Sequence, residues 1–436
     1  MNRSDSMIRN KGTLENGGNL LFEQVCSKKT LHEAFHRVRK NKGSAGVDNV
    51  TIGDYKKNLD SNLEALQTKL RNQSYKPRPV KRVYIDKQDG SKRPLGIPTV
   101  EDRVVQQAIR QVIEPIFERK FKDCSYGFRP NRNCHQAVRE VQSHIRSKYR
   151  YVIDADLKSY FDMINQEILK RELRKEIADD NLMSLIDKTL KSGILEHGCY
   201  HETIRGATQG GVTSPLYGNV YLHPLDEILT ERGHKVIRYA DDFVILHTSK
   251  KGAERVLAWL RKFLEREYKL ILHPEKTKIV DAYEEAFTFL GFTFRSGYIV
   301  VDEGRMKRFK AKIKALTKRN QTVSIKALLG KKLNSVIRGW GNYYGIGNVK
   351  TVFDKLMKWI RRRLRSIQLR SWKTKKKLFK ALRKAGWKGE LDPIRMNRWS
   401  SSKTKQTHAA MSNKWFKEQG LVDLVKIYND LHPQRG

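Results

Sequence analysis

The sequence predicts an α+β fold in several domains, and three observations lead there. Short apolar or alternating runs of strand length recur at 81–85, 93–97, 151–157, 236–239 and 243–246. Between them lie segments with apolar residues three and four apart, the spacing of a helix face. Near residue 300 the composition shifts to a strongly basic, helix-patterned stretch, and 436 residues suffice for about two to four domains.

In chain order, residues 1–20 are rich in Asn, Gly and Ser and predict a frayed end. Residues 31–39 and 59–70 read as helices, with a glycine-marked loop at 42–48 (KGSAGVD) between them. The runs 81–85 and 93–97 flank Asp89-Gly90, the pattern of a β-hairpin with a tight turn. A long amphipathic helix covers 101–121, a buried-type strand 151–157, and a helical region 166–192. The arms 236–239 and 243–246 enclose Ala240-Asp241-Asp242, a hairpin whose turn carries two carboxylates; 252–268 is helical and 287–294 reads as one further strand.

Charge narrows the function. Lys and Arg number 88 against 47 Asp and Glu, a net charge of +41. Such a chain repels itself and calls for a polyanion, nucleic acid first, because phosphates neutralised by Lys and Arg release condensed counterions. An acidic membrane surface fits less well, since the charge is spread along the chain rather than gathered on one amphipathic helix. No apolar run approaches the ~18 residues of a membrane span, and the polar N-terminus lacks a signal peptide's apolar core. Cys26, Cys124, Cys134 and Cys199 are scattered without a CxxC pair, which argues against a disulfide framework or zinc ribbon. A cytoplasmic, polyanion-binding protein is expected. Residues 305–388 hold 28 Lys or Arg and one acid, Asp354, with aromatics set among them.

The chemical signal lies at strand ends. Adjacent acids in a turn are ordinarily solvated, but Asp241-Asp242 has a counterpart in Val152-Ile153-Asp154-Ala155-Asp156-Leu157, a second apolar strand ending in acids. Brought together by folding, the two clusters form a hard oxygen site suited to Mg²⁺. Two-metal phosphoryl transfer needs such carboxylates on rigid elements.

At the level of motifs, the chain resembles bacterial group II intron-encoded reverse transcriptases (maturases). The motifs run in that family's order: the hairpin at 81–98, SYGFRPNR at 125–132, DADLKSYFD at 154–162, GATQGGVTSPLYGNVYL at 206–222, RYADD at 238–242, LHPEKTKI at 272–279, FLGF at 289–292 and IRGWGNYYG at 337–345. The resemblance implies a right-hand polymerase: fingers and a palm on an antiparallel sheet over 61–300, after an N-terminal extension over 1–60. A helical thumb, or maturase domain, would follow over 301–370 and a small basic DNA-binding region over 371–436.

It further implies a metal set of Asp156, the Leu157 backbone, Asp241 and Asp242, holding two Mg²⁺ with Mn²⁺ as a substitute. Asp154 stands as the alternative to Asp156. Lys87, Arg93, Phe161 and Gln209 would meet the incoming dNTP, Phe161 as an aromatic gate under the sugar with Tyr160 as its alternative. Lys81, Ile97 and Arg129 would lie at the template, while Arg338, Trp340, Tyr343 and Tyr344 would bind RNA from the thumb or form its core. GATQGG replaces the commoner GTPQGG, and loss of that proline should loosen the loop around Gln209. Lys276 resembles a lysine assisting pyrophosphate departure, or is a plain surface lysine.

The implied activity is RNA-directed DNA synthesis in intron splicing and retrohoming. Its partners would be group II intron RNA, an RNA template with DNA primer, dNTPs and target DNA, with nucleoid association and with monomer or dimer left open. No Cys pairs and clustered His mark a zinc-containing HNH endonuclease, so second-strand cleavage is not expected, as in the compact group IIC class. A non-intron bacterial reverse transcriptase (CRISPR-linked, diversity-generating or repair) and a splicing-only maturase are the alternatives; intact Asp156, Asp241 and Asp242 speak against the latter.

Overall fold

The computed structural model describes residues 20–86, 90, 92–321, 323–391 and 393–433, with Lys331 described by its backbone alone. The expected frayed segment up to residue 19, most of the hairpin turn (including Asp89) and Lys87 lie outside the described residues. The chain divides at Val280/Asp281 into two compact units.

The first unit opens with helices α1 (Leu20–Cys26), α2 (Lys28–Asn41), α3 (Ile52–Lys57) and α4 (Leu59–Arg71). Helix α2 buries Leu31, Ala34, Phe35 and Val38, one apolar stripe at helical spacing, and its first turn is capped by Ser27, whose hydroxyl accepts from the Thr30 amide. Strands β1 (Val80–Asp86) and β2 (Lys92–Ile97) pair antiparallel with Lys81 opposite Ile97 and Ile85 opposite Arg93. Helix α5 (Val100–Glu118), capped by Thr99, is buried along most of its first half. Helix α6 (Cys134–Arg146) precedes strand β3 (Tyr151–Asp156); α7 (Tyr160–Met163), α8 (Gln166–Arg174) and α9 (Asp180–Leu190) follow. The helical region read over 166–192 is thus two helices, with Asp179 capping the second.

Strands β4 (Ile194–Glu196) and β5 (Cys199–His201) complete the first sheet, in the order β2-β1-β4-β5. After helix α10 (Ser214–Glu231) come β6 (Lys235–Tyr239), β7 (Asp242–His247), helix α11 (Lys250–Tyr268) and β8 (Lys278–Asp281), and the second sheet has the order β6-β7-β3-β8. Its central strands carry Val152, Ile153, Phe243, Val244, Ile245 and Leu246, at most 1% exposed. Successive side chains point to opposite faces, so both faces are covered and only the strand ends reach water. That burial places functional groups at the ends.

In the second unit, the single strand expected over 287–294 is a hairpin. Strands β9 (Phe287–Phe289) and β10 (Phe292–Arg295) pair antiparallel, and β11 (Tyr298–Val301) adds to β10. Leu290 and Gly291 turn the chain with φ of 51° and 77°, two consecutive left-handed residues of the kind tight hairpins require. The eight-residue run FTFLGFTF has strand composition throughout and hid the turn, since only Gly291 marks it.

Helices α12 (Glu303–Leu316) and α13 (Ile325–Leu328), a π-helical turn (Leu329–Leu333), α14 (Asn334–Tyr344) and the 23-residue α15 (Lys350–Trp372) form the body of this unit. Helices α16 (Lys375–Lys384), α17 (Lys405–Ala410), α18 (Asn413–Glu418) and α19 (Leu424–Leu431) follow, with a 3₁₀ turn at Ser400–Lys403. Contacts run back across residue 370: Asp423 pairs with Arg361 at 2.5 Å, and a Cβ at Gly341 would stand 2.7 Å from Leu424. Among the described residues, no helix is long and apolar enough to cross a membrane.

Candidate active site

Strand β3 lies antiparallel to β7 with Asp156 directly opposite Asp242. Asp242 also faces Tyr239 across the β6–β7 hairpin, whose turn is Ala240-Asp241, with Ala240 in the left-handed region at φ 61°. Asp156 and the Asp241-Asp242 pair, about 85 residues apart in the chain, are therefore placed at one sheet end. Asp154, two residues deeper, is opposite Val244. Burial pushes its carboxyl up to about 6; Lys278 draws it down and Asp156 adds to the rise.

A buried network holds the turn from below. Arg238 and Asp226 are fully buried and joined by three bonds of 2.5–3.1 Å. The remaining guanidinium nitrogen of Arg238 donates to the Ala240 carbonyl (3.0 Å) and to Asn219 Oδ1 (2.9 Å), and Asn219 Nδ2 donates to the Gly127 carbonyl (2.8 Å). The backbone of Arg238 exchanges bonds with Cys124 and Tyr126 at 2.8 Å. Gly127 then passes so close that a Cβ would stand 2.4 Å from the Ala240 amide nitrogen. The glycine of SYGF is thus required by the carboxylate turn, not by its own φ. Gly127→Ala is expected to push the turn aside and reduce catalytic turnover about 10²-fold, the scale of a 1 Å misplacement, at a stability cost of about 1–3 kcal/mol. Comparing kcat with the melting midpoint checks it: a kcat within twofold of native would sink the idea.

Sequence reading missed Arg238, Asp226 and Asn219 as supports; Arg238 stood in RYADD, but nothing local marked its buried partners. Arg129, expected at the template, is spent inside the protein. Its Nε and Nη2 bind Glu118 (2.8–3.1 Å), Nη1 donates to the carbonyls of Lys122 (2.6 Å) and Ser125 (2.9 Å), and Nη2 also reaches the Phe121 carbonyl (3.4 Å). All five donors are taken, so Arg129 fixes the loop that packs on the turn and has none left for a template.

Electrostatics at the carboxylates are mixed. Burial raises the Asp241 carboxyl above its ordinary range; a hydrogen bond from its own backbone lowers it, Asp156 raises it, and Arg93 and Arg238 draw it back. Asp156 pairs with Lys276 Nζ at 3.1 Å, and its carbonyl accepts from the His273 amide at 2.7 Å. As the side chains stand, no three His, Cys, Asp or Glu among the described residues are gathered tightly enough to hold an ion. The donor set itself is hard oxygen on rigid strand ends, which is what Mg²⁺ takes. Leu157 continues from β3 with its side chain buried and bridges Leu272.

The other expected residues surround this end of the first unit. Lys81, Ile85, Arg93 and Ile97 share one face of the β1–β2 hairpin by register, and Arg93 is exposed yet near enough to act on Asp241. The Gln209 carbonyl accepts from the Gly96 amide at 2.7 Å, and a Cβ on Gly210 would stand 2.4 Å from the Gly96 carbonyl, so the TQGG loop seats on β2 through paired glycines. Without the family's proline, the loop is held by the Ala207 amide on the Phe161 carbonyl (2.9 Å) and the Ser214 hydroxyl on the Thr208 carbonyl (2.7 Å). Phe161 is half-buried, edge-on to the fully buried Tyr160 at 5.2 Å.

The reverse transcriptase (RNA-dependent DNA polymerase) family matches residues 85–294, and the maturase-specific domain of group II introns matches 306–386. Protein YkfC of Escherichia coli (strain K12) is 35% identical over 354 residues, covering 71% of this chain and 91% of that protein. The chain is a group II intron-type reverse transcriptase. Group II intron-encoded protein LtrA of Lactococcus lactis subsp. cremoris is 29% identical over 68% of this chain, and the match spans 59% of LtrA's own length. A solved telomerase from Candida albicans overlaps at a TM-score of 0.42 and 13% identity, covering 71% of this chain and 60% of that one.

The reverse transcriptase is therefore an RNA-directed DNA polymerase of right-hand fold that also carries a maturase domain, and nucleic acids, intron RNA among them, are its partners. The family generally uses divalent metal ions. In the maturase domain, Trp340 stacks on Phe309 (4.1 Å between ring centres) and meets Tyr344, whose ring is 6% exposed. The Tyr343 hydroxyl donates to the Leu290 carbonyl at 2.9 Å, while Arg338 is exposed. These aromatics form the core and also the wall of a cavity of about 730 Å³ lined by Arg305, Arg308 and Lys312.

Proposed function

We propose that Asp156, Asp241 and Asp242, with the Leu157 carbonyl, hold the divalent cations of a two-metal polymerase that extends a DNA primer on an RNA template from dNTPs. The observation that carries the proposal is the register of Asp156 opposite Asp242 with Asp241 in the adjoining turn. Two Mg²⁺ ions, or Mn²⁺ in their place, supply activation of the primer 3′-hydroxyl and neutralisation of the departing pyrophosphate. The protein's part is positioning. Arg93 on the hairpin face, with Lys87, clamps the triphosphate, since a guanidinium meets phosphate oxygens bidentately. Gln209 lies beside the nucleotide on the loop seated against β2, Lys81 and Ile97 form a cross-strand pair under the templating base, and Lys276 waits at Asp156. Asp154, deeper and largely buried, is the weaker ligand.

Phe161 then selects the sugar, because an edge-packed ring beneath the ribose collides with a 2′-hydroxyl. Phe161→Val is expected to raise ribonucleotide relative to deoxynucleotide incorporation by about 10–10²-fold, the discrimination of a small steric contact. An unchanged ratio with normal dNTP extension would assign the gate to another residue, Tyr160 first.

Arg338, Trp340, Tyr343 and Tyr344 are proposed to contact intron RNA from the maturase domain, and target DNA to bind through the C-terminal region, with retrohoming and nucleoid association as the setting. The deciding experiment is primer extension with an RNA template, a DNA primer, dNTPs and Mg²⁺. Product that disappears with chelator and returns with Mg²⁺ or Mn²⁺ supports the proposal; tight RNA binding without product under every metal would favour a splicing-only role.

A further inference from the structure

The second unit contains a cavity of about 480 Å³ against helix α15, walled by Lys358, Trp359, Arg361, Arg362, Arg365 and His408, with Asp354 and Asn413 completing the lining. The four cations recur at 358, 361, 362 and 365, one helix face by spacing, where like charges repel. The nearby acids are already committed: Asp354 binds Lys358 at 2.7 Å and Asp423 binds Arg361 at 2.5 Å. Arg362 makes no hydrogen bond or ion pair among the described residues, and its guanidinium lies 4.3 Å over the Trp399 ring.

Arg365 is 4% exposed. Its Nε donates to the Met411 carbonyl (3.1 Å) and its Nη1 lies 3.3 Å from His408 Nε2, while Nη2 has no acceptor among the described residues. Burial pulls its guanidinium down to about 10 and Arg361 adds to the fall. His408 offers no countercharge; burial and Arg365 both lower its pKa. Burying a cation without an anion is costly, and Asp and Glu of the surrounding stretch are too few to supply one, with 28 Lys or Arg to a single acid over 305–388.

We propose that this cavity is a phosphodiester site, in which Arg362 and Arg365, helped by Lys358, hold one backbone phosphate of a nucleic acid strand. Two guanidinium groups suit the bidentate geometry of a phosphate. Half-buried Trp359 gives the adjoining sugar or base a ring to lie on. The site does not depend on the metal and nucleotide assignments in the palm, so it is tested without them.

The test uses the full chain and a fluorescein-labelled RNA–DNA hybrid, without dNTPs, in equilibrium titrations from about 0.05 to 0.4 M salt. Arg362→Gln and Arg365→Met are each expected to weaken binding about fivefold near 0.15 M salt and to make the log–log salt slope shallower by about 0.7–0.9, the loss of one phosphate contact. The melting midpoint of free Arg365→Met should equal or exceed the native one, because the lost cation had no anionic partner and a neutral side chain of similar length relieves its burial. A lower midpoint with an unchanged slope in both variants would make these arginines structural and overturn the proposal. Stabilisation of the native protein by millimolar inorganic phosphate, with unchanged hybrid slopes, would also overturn it by assigning the cavity to a free ion. Should Arg365→Met not fold, Arg362→Gln at its half-buried position decides alone.

Discussion

Asp241→Ala is expected to abolish primer extension while leaving RNA binding nearly intact. Asp241 stands in the β6–β7 turn beside the Asp156–Asp242 pair, and it is the carboxyl on which burial, Asp156, Arg93 and Arg238 all act. Removing it would take one hard oxygen ligand from the proposed metal set, whose ions would each supply several kcal/mol of transition-state stabilisation. At 1.36 kcal/mol per tenfold, the loss amounts to at least about 10³-fold in rate. Intron RNA binding is proposed for the maturase domain, which lies within the second compact unit, so its Kd should stay within about twofold, the scale of a distant surface change. Single-turnover extension alongside a filter-binding titration reads both. Normal extension by the variant would remove Asp241 from the metal set; loss of both together would mean the substitution unfolds the chain.

Arg238→Ala should destabilise the first unit more than any substitution at the carboxylates themselves. It strands the fully buried Asp226 without its partner, and breaking a buried pair from one side costs about 3–5 kcal/mol. At about 2–4 °C per kcal/mol for a unit of this size, the melting midpoint falls by roughly 10 °C. The double variant Arg238→Met/Asp226→Leu separates stability from function. Replacing both charges with apolar groups of similar volume should recover most of the midpoint, yet the Ala240 carbonyl still lacks its donor and the turn its anchor. Low kcat with a near-native midpoint is the expected result. A double variant as active as the native enzyme would make the pair an element of stability alone.

Much of this was legible because it is local. Apolar strand runs beside Asp156 and Asp242, the helical stripe of α2, and the β1–β2 hairpin each follow from residues a few positions apart. The ordered motif series carried the family, and the family and maturase-domain matches fall on the same segments. Where local pattern was ambiguous, reading failed in a specific way. A phenylalanine-rich run at 287–294 with the composition of one strand cannot reveal two left-handed residues inside it, and an arginine in SYGFRPNR looks available until Glu118 and three carbonyls consume its donors.

The sequence alone determined the kind of protein: a basic α+β chain with two acidic strand ends, a phosphate-seeking hairpin and a basic helical stretch after residue 300. Tertiary structure alone decided that Asp156 rather than Asp154 faces Asp242, that Gly127 and Arg238 clamp the turn, and that α19 returns to α14 and α15. The reason is physical. Periodicity and turn chemistry act over a few residues and are written in the local order of side chains. Strand register and buried charge pairing instead join groups tens of residues apart, and only the packed core selects one such arrangement over its neighbours.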